Sequence, residues 1–225
     1  RATWGGVHLR IIGLVEQLLR ESSVGKLVLT LNIPEDLDLP SSERLVIVTN
    51  AQPKGFGANH NAAFKQCELP FYCVLNPDVE INDGAISRLL SCLEQTDAAV
   101  VGPLVTDAHG QQEDSWRRFP TVLGLALKLV GQDPTIIARN ASAEPISVDW
   151  VAGMCMLFQS DSYRLVKGFD ERYFLYYEDV DLCARLWRAG KAVMACPEAS
   201  VVHHAQRASR RQWRYMRWHL SSMLR

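Results

Sequence analysis

Phe71-Tyr-Cys-Val-Leu-Asn-Pro-Asp78 is five apolar residues followed at once by a turn and a carboxylate. Five residues is the length of a strand, and Asn-Pro-Asp is good turn chemistry, so the spacing predicts a strand that ends at Leu75. Runs of the same kind stand at Lys26-Leu-Val-Leu-Thr-Leu31, Arg44-Leu-Val-Ile-Val-Thr49 and Ala98-Ala-Val-Val-Gly102. The β-branched run at 44–49 is expected to be buried on both faces. Helical spacing lies between and before them, in Val7, Ile11, Leu14, Val15 and Leu18 and again from Ala85 to Leu93. Continuous apolar strands alternating with helices predict an α/β fold, a Rossmann-like, mostly parallel sheet flanked by helices.

The pattern weakens from Asp107 to Ser147, where Gly, Pro, Gln and Asp interrupt it and only Leu123 to Val130 reads as helix. A substrate loop is expected there. Strand character returns from Val148 to Phe158, and helices are predicted over Asp161–Val166 and Val180–Ala189, the second stopped by Gly190. Ala192–Ala195 and Ser200–Val202 read as two short strands.

Whole-chain composition narrows the function. With 225 residues, 48% hydrophobic and 22% charged, the chain can bury a full core. A net charge of -1 leaves no surplus of Lys and Arg for phosphate backbones, which argues against nucleic acid. The six cysteines form no C-x-x-C pair and are expected to be reduced and buried, as in a cytoplasmic protein. No apolar run reaches the ~18 residues of a membrane span. The abrupt start at Arg1 suggests a piece of a longer protein.

Ligands of parallel α/β sheets bind past the carboxyl ends of strands, which directs attention to four places. At Asn76-Pro77-Asp78 a carboxylate at the sheet edge could hold Mg²⁺ or Mn²⁺; the bland alternative is an Asx-type turn. Lys54-Gly-Phe-Gly-Ala-Asn-His-Asn61 follows the second strand. Gly55 and Gly57 there allow close backbone approach to a ligand, and Asn59 and Asn61 offer polar edges. In Tyr173-Phe-Leu-Tyr-Tyr-Glu-Asp-Val-Asp-Leu-Cys183, three acids follow a run of aromatics. Acids in a first helical turn meet the positive end of the dipole, and Arg185 or Arg188 could pair with them. That accounts for one or two acids, but not for the aromatics; a carboxylate in a partly dry pocket is what a general base needs. His203 and His204 follow a strand, where adjacent side chains point opposite ways, so at most one of them can serve the site.

Taken in order, Gly55-Phe-Gly-Ala58 with Asn61, Leu75-Asn-Pro-Asp78, Trp150-Val-Ala-Gly-Met154, Gly168-Phe-Asp-Glu171, Phe174 to Leu182, Arg185, Gly190 and Val202-His203 resemble the inverting family 2 glycosyltransferases of GT-A fold. The likeness is strongest to bacterial rhamnosyltransferase-type members that build surface polysaccharides, and it runs from about Leu27 to His204. It implies an enzyme that moves a sugar, such as rhamnose, from a dTDP- or UDP-sugar to a glycan or lipid-linked acceptor. It implies a divalent metal at Asp78, with His203 (His204 as its alternative) as the distant ligand. Asp179 becomes the catalytic base and Glu178 the holder of the acceptor hydroxyl. Asn32, Gly55, Asn61, Asn76, Trp150, Gly153 and Tyr176 become substrate-binding. Tyr173 to Tyr177 would wall an acceptor pocket, and Asp181 would serve only the helix.

Three departures stand out. The family's opening strand is absent from its place, Leu31-Asn-Ile-Pro34 replaces the usual Asp-Asn-x-Ser, and Asn76 replaces the first aspartate of D-x-D. They make a non-catalytic sugar-nucleotide-binding or scaffold module the alternative. A sugar nucleotidyltransferase would need a Gly- and Arg-rich phosphate loop, which is not seen. The expected layout is one GT-A domain over 1–205 and a basic amphipathic helix over 206–225. Its tail from Arg207 to Arg225 has six arginines and no acid. Such a helix suits the inner face of an anionic membrane, where lipid-linked acceptors reside; packing on its own domain is the other possibility.

Overall fold

A computed structural model describes residues 4–119, 121, 133, 135–137, 143–204 and 222. The expected helices at 123–130 and 206–225 fall outside these residues, except for Ser222. Helix α1 (Trp4–Arg20) precedes a parallel pair of strands, β1 (Leu27–Leu31) and β2 (Leu45–Thr49). Arg44 ties the two together, because its guanidinium donates to the Leu19, Glu21 and Val24 carbonyls at the end of α1 and just beyond it. Helix α2 (Phe56–Phe64) leads into β3 (Phe71–Leu75), β4 (Val79–Ile81), α3 (Ala85–Thr96) and β5 (Val100–Thr106). The short strands β6 (Trp116–Arg117), β7 (Ile146–Ser147) and β8 (Trp150–Val151) follow, then β9 (Cys155–Gln159). Helices α4 (Ser160–Leu165) and α5 (Glu178–Arg188) and strand β10 (Val193–His203) complete the order.

The main sheet has six strands in the order β3-β9-β5-β10-β4, with β7 on β10. Strand β10 is parallel to β5, and β9 runs against both β3 and β5, so β3, β5 and β10 share one direction. The reversal of β9 is invisible in its apolar pattern, since a strand buried on both faces reads the same either way. Its side chains show that double burial. Met156 and Phe158 join a core with Tyr72, Val74, Tyr163 and Leu182, while Cys155 and Leu157 face a second core with Leu18, Ile86, Leu89 and Val101. The two cores are the helix-covered faces that the sequence pattern predicts. All six cysteines are free thiols, four of them buried.

Three expectations need correction. Strand β2 is not buried on both faces: it pairs with β1, and Ile47 is 48% exposed. The run from Val148 to Phe158 is not one strand. It is cut at 152–154, where main-chain groups turn away from the ladder to other partners, so that β8 pairs with β6 and β9 enters the main sheet. Conversely, the two short strands at the end are one strand, β10. Its register against β5 slips between Cys196 and Ser200, where Pro197 has no N–H to offer the ladder.

Phe158 has no exposed surface and meets Tyr163 ring to ring at 5.1 Å. Phe158→Ala is expected to cost about 3–5 kcal/mol by urea unfolding, the range for a large core truncation. A loss below ~1 kcal/mol would mean that the site collapses without a cavity.

Candidate active site

The turn after β3 is built as its sequence suggests. The Asn76 N–H donates to the Met154 carbonyl at 2.9 Å, and the Val79 N–H returns to the Asn76 carbonyl at 3.3 Å. Strand β4 then lies antiparallel to the end of β10, with Val79 opposite His203, and the His204 N–H donates to the Asp78 carbonyl at 2.9 Å. Two segments 120 or more residues apart in sequence are thereby locked together. His203 turns toward Asp78, Nε2 to Oδ2 at 3.4 Å, while its Nδ1 lies 2.6 Å from Glu113 Oε2. His204 points elsewhere and pairs with Glu80 at 2.9 Å. The alternation of side chains along a strand thus separates the two histidines, as predicted. The carboxylates of Asp78 and Glu113 hold the His203 imidazolium up to about 9, against the opposing effect of burial.

Asp78 Oδ1 is buried and has no hydrogen-bond partner among the described residues. A carboxylate with one oxygen orphaned and the other, Oδ2, facing an imidazole is an oxygen-nitrogen donor set that suits Mn²⁺ or Mg²⁺. These residues fit a metal as two of its ligands. Among the described residues no group of three or more His, Cys, Asp or Glu is arranged to enclose one, so the remaining ligands would come from substrate and water. Asp78 and His204 also border a cavity of about 550 Å³ between α1 and β4, with Arg10, Gln17 and Arg20 on its far wall.

The acids lie at the start of α5 behind a strained turn. Tyr176 and Tyr177 have φ of 72° and 67°, the left-handed region that costs side-chain-bearing residues on the order of 1–3 kcal/mol each. Contacts with the α2 entrance hold the turn in place. The Phe56 N–H donates to the Phe174 carbonyl at 3.0 Å, and a Cβ on Gly55 would sit 2.9 Å from that same oxygen. Gly57 likewise leaves room for Phe169, whose Cβ would be 2.6 Å away. The two glycines admit neighbouring protein, a different use from the ligand approach expected of them.

Beyond the turn, Glu178 is 6% exposed and its Oε2 has no partner among the described residues. Burial, then the neighbouring charge of Asp179, pushes its carboxyl up to about 8. Asp179 is raised too, mainly by burial, but the effect is opposed by main-chain donors, Gly153 and Val180 foremost. The Gly153 N–H reaches its Oδ2 at 2.9 Å and the Val180 N–H reaches its Oδ1 at 2.8 Å. Two adjacent acids therefore differ: both oxygens of Asp179 accept main-chain N–H groups, whereas Oε2 of Glu178 has no partner among the described residues. Asp181 has the expected helix-stabilising place, paired with Arg185 at 2.7 Å. Of the aromatics, Tyr173 is buried within the protein, Tyr176 and Tyr177 are half-buried, and Phe174 is 39% exposed.

Not every expected residue joins these acids. Asn61 accepts from the Tyr163 hydroxyl and the Phe169 N–H and donates to the Phe169 carbonyl and Glu171, which fills its capacity and clamps the 168–171 turn. Asn32 accepts from Asn50 and the Lys54 N–H and donates to the Lys54 carbonyl. Buried Asn50 bridges onward to Asn59 at 2.8 Å. Trp150 donates to the Arg118 carbonyl, and Gly153 stands between Phe56 and Asp179, where a Cβ would come within a tight 3.3 Å of the Phe56 ring. Asn50 and Glu113 were not foreseen. Asn50 directly follows a strand end, a signal that could have found it; Glu113 lies in the unpatterned stretch and carried none.

Comparison with known proteins places this geometry. A family model described as glycosyltransferase like family 2 matches residues 26–220. The chain is 37% identical over 140 residues to the N-acetylglucosaminyl-diphospho-decaprenol L-rhamnosyltransferase of Mycobacterium tuberculosis, covering 58% of this chain and 46% of that protein. It is 29% identical over 182 residues to the rhamnosyltransferase WbbL of Escherichia coli, covering 76% of this chain and 69% of WbbL. The chain thus spans about half the length of the first of these relatives. Among solved structures it resembles GalNAc-T7 with UDP, GalNAc and Mn²⁺, with a TM-score of 0.61, 12% identity, and coverage of 81% of this chain and 38% of the other. At that identity the likeness is one of fold, the GT-A arrangement.

The raised carboxyl of Glu178 has a consequence for stability. A carboxyl that titrates near 4.5 when unfolded and near 8 when folded keeps its proton longer in the folded state. Its contribution is therefore lost as pH rises through that window. Glu178→Gln is expected to flatten the decline in melting temperature between pH 5 and 8, as ~ the interval bounded by those two values. An unchanged slope would show that Glu178 is ionised in the fold.

Proposed function

The chain belongs to the family 2 glycosyltransferases, and on that premise we propose that it transfers a sugar with inversion, rhamnose being the first candidate. The donor is a dTDP- or UDP-sugar and the acceptor a glycan or lipid-linked glycan of surface polysaccharide synthesis. The single observation that carries this proposal is the use made of two adjacent residues. The Met154 carbonyl receives the Asn76 N–H of the turn that presents Asp78, and the Gly153 N–H holds Asp179. A group that can bind a metal diphosphate and a group that can take a proton are thereby set on either side of one short loop.

Members of this family generally use a divalent metal. Here Asp78 and His203 would hold Mg²⁺ or Mn²⁺, which when bound supplies positive charge to the departing nucleoside diphosphate. The rest of the chemistry falls to the chain. Asp179, anchored through both oxygens, takes the proton of the acceptor hydroxyl. That oxygen forms its bond to the anomeric carbon on the face opposite the diphosphate, whose bond to the same carbon breaks. One displacement inverts the centre, so no second carboxylate nucleophile is required. Glu178, neutral below about 8, presents its unpartnered oxygen to orient the acceptor. The cavity bordered by Asp78, with Arg10 and Arg20 opposite, is where we place the donor's nucleotide end. Asn76, Trp150, Gly153 and Tyr176 border the sugar-binding space, and Asn32, Gly55 and Asn61 shape the loops around it.

A lipid-linked acceptor places the protein on the cytoplasmic face of a membrane. The mycobacterial relative, a rhamnosyltransferase named for a diphospho-decaprenol, supports that choice. Among the described residues no helix is long and apolar enough to cross a membrane, and contact through the basic tail is proposed in its place. Ser222 in that tail is 5% exposed and donates to the Leu175 carbonyl at 3.1 Å, which sets one point of the tail beside the acid turn.

The test is metal-dependent release of nucleoside diphosphate across a panel of nucleotide sugars. Asp179→Asn is expected to lower transfer about 10²–10⁴-fold while leaving donor affinity near the parent's, the range for loss of a general base. Near-normal turnover would misplace the base. Asp78→Ala is expected to weaken metal-dependent donor binding itself, measured by calorimetry with and without Mn²⁺. No turnover or binding of any donor would favour the non-catalytic alternative.

A further inference from the structure

Glu113 belongs to none of the sites that the sequence pattern suggests, yet it makes the shortest contact to His203, 2.6 Å from Oε2 to Nδ1. Its place is built with care. After β5 the chain reverses in a tight turn in which Asp107 Oδ1 accepts the N–H groups of His109 and Gln111 at 2.8 and 2.9 Å. Gly110 supplies the positive φ of 75° that the reversal needs. The Gln111 carbonyl accepts the Asp107 N–H at 2.8 Å, Thr106 and Gln112 form a bridge, and the Glu113 N–H donates to the Val105 carbonyl at 2.9 Å. Val105 and Thr106 in turn lie beside Val201 and Val202 of β10, so the returning arm carries the Glu113 side chain to the next residue, His203. Ser115 fastens the far end of the arm: its carbonyl accepts the Ala152 N–H and its hydroxyl accepts the Val105 N–H.

The chemistry of the contact is directional. A carboxylate oxygen has no proton to give in this pairing, so Nδ1 is the donor and Glu113 the acceptor. With one proton held on Nδ1 by Glu113, a cation displaces the other from Nε2 and bonds to the lone pair of the nitrogen that faces Asp78. We propose that Glu113 is a positioning residue for the metal site: it fixes the ring orientation and tautomer of His203 so that Nε2 and Asp78 can share one cation. This inference rests on the metal-dependent reading above. It adds a residue supplied by the turn after β5, which makes that arm part of the donor site rather than a surface loop. A carboxylate behind a ligating imidazole also raises the basicity of the ligand nitrogen, and loss of such a partner lowers metal affinity by about 10- to 100-fold.

The test uses Mn²⁺ alone, with the free ion followed by electron paramagnetic resonance in the parent, Glu113→Ala, Glu113→Gln and His203→Ala. Glu113→Ala is expected to weaken Mn²⁺ binding roughly 10- to 100-fold. Glu113→Gln is expected to recover part of that loss, because its amide oxygen still accepts the Nδ1 proton. A structural role alone would not produce that order, since Ala and Gln would then differ in melting temperature and not in metal affinity. Variants that bind Mn²⁺ as tightly as the parent overturn the proposal and leave the metal site standing. A parent that binds no Mn²⁺, with His203→Ala indistinguishable from it, overturns the metal site and this proposal together.

Discussion

Three consecutive residues, Ala152, Gly153 and Met154, hold the parts of the site in relation to one another through their main-chain groups. The Ala152 N–H fastens the arm that brings Glu113, the Gly153 N–H fastens Asp179, and the Met154 carbonyl fastens the Asn76 turn. None of these bonds depends on the side chain of the linking residue. That is why the loop must leave the sheet between β8 and β9: a residue in a ladder gives its N–H and carbonyl to the neighbouring strand and has none left for a site. The break in what reads as one long strand is the cost of placing three polar segments around one point.

The same economy governs the acids. Burying two carboxylates side by side is unfavourable, and the structure answers it unequally. Asp179 receives two N–H donors and can remain an anion. Glu178 leaves Oε2 without a partner among the described residues, and burial pushes its carboxyl up to about 8. The difference comes from main-chain donors that no residue-type pattern reveals. The left-handed pair Tyr176-Tyr177 that aims them is held by the α2 entrance, whose Gly55 has no side chain because a carbonyl occupies that space.

Much of this was legible beforehand in particular residues. The apolar run Phe71–Leu75 ends where expected, His203 and His204 point apart, and Asp181 takes Arg185 along its own helix. Each of these follows from local chemistry: a strand of known length, a strand's alternation, a helix's four-residue repeat. What was not legible had a long-range cause. Gly55 and Gly57 answer to Phe174 and Phe169, more than 100 residues away, and Asn61 is consumed by the turn at 168–171. Glu113 lies 90 residues from His203 in a stretch with no periodicity to mark it.

The sequence by itself determined the α/β class, the double burial of the central strands, the order of the motifs and the family to which they belong. Those properties reside in hydrophobic period and in short motifs, which neighbouring residues write together. The tertiary structure alone decided the direction of β9, the partner of each histidine, which of two adjacent acids has main-chain donors on both oxygens, and the approach of Glu113 to His203. Those depend on which main-chain N–H or carbonyl arrives from a distant segment, and hydrogen bonds of that kind leave no trace in residue type.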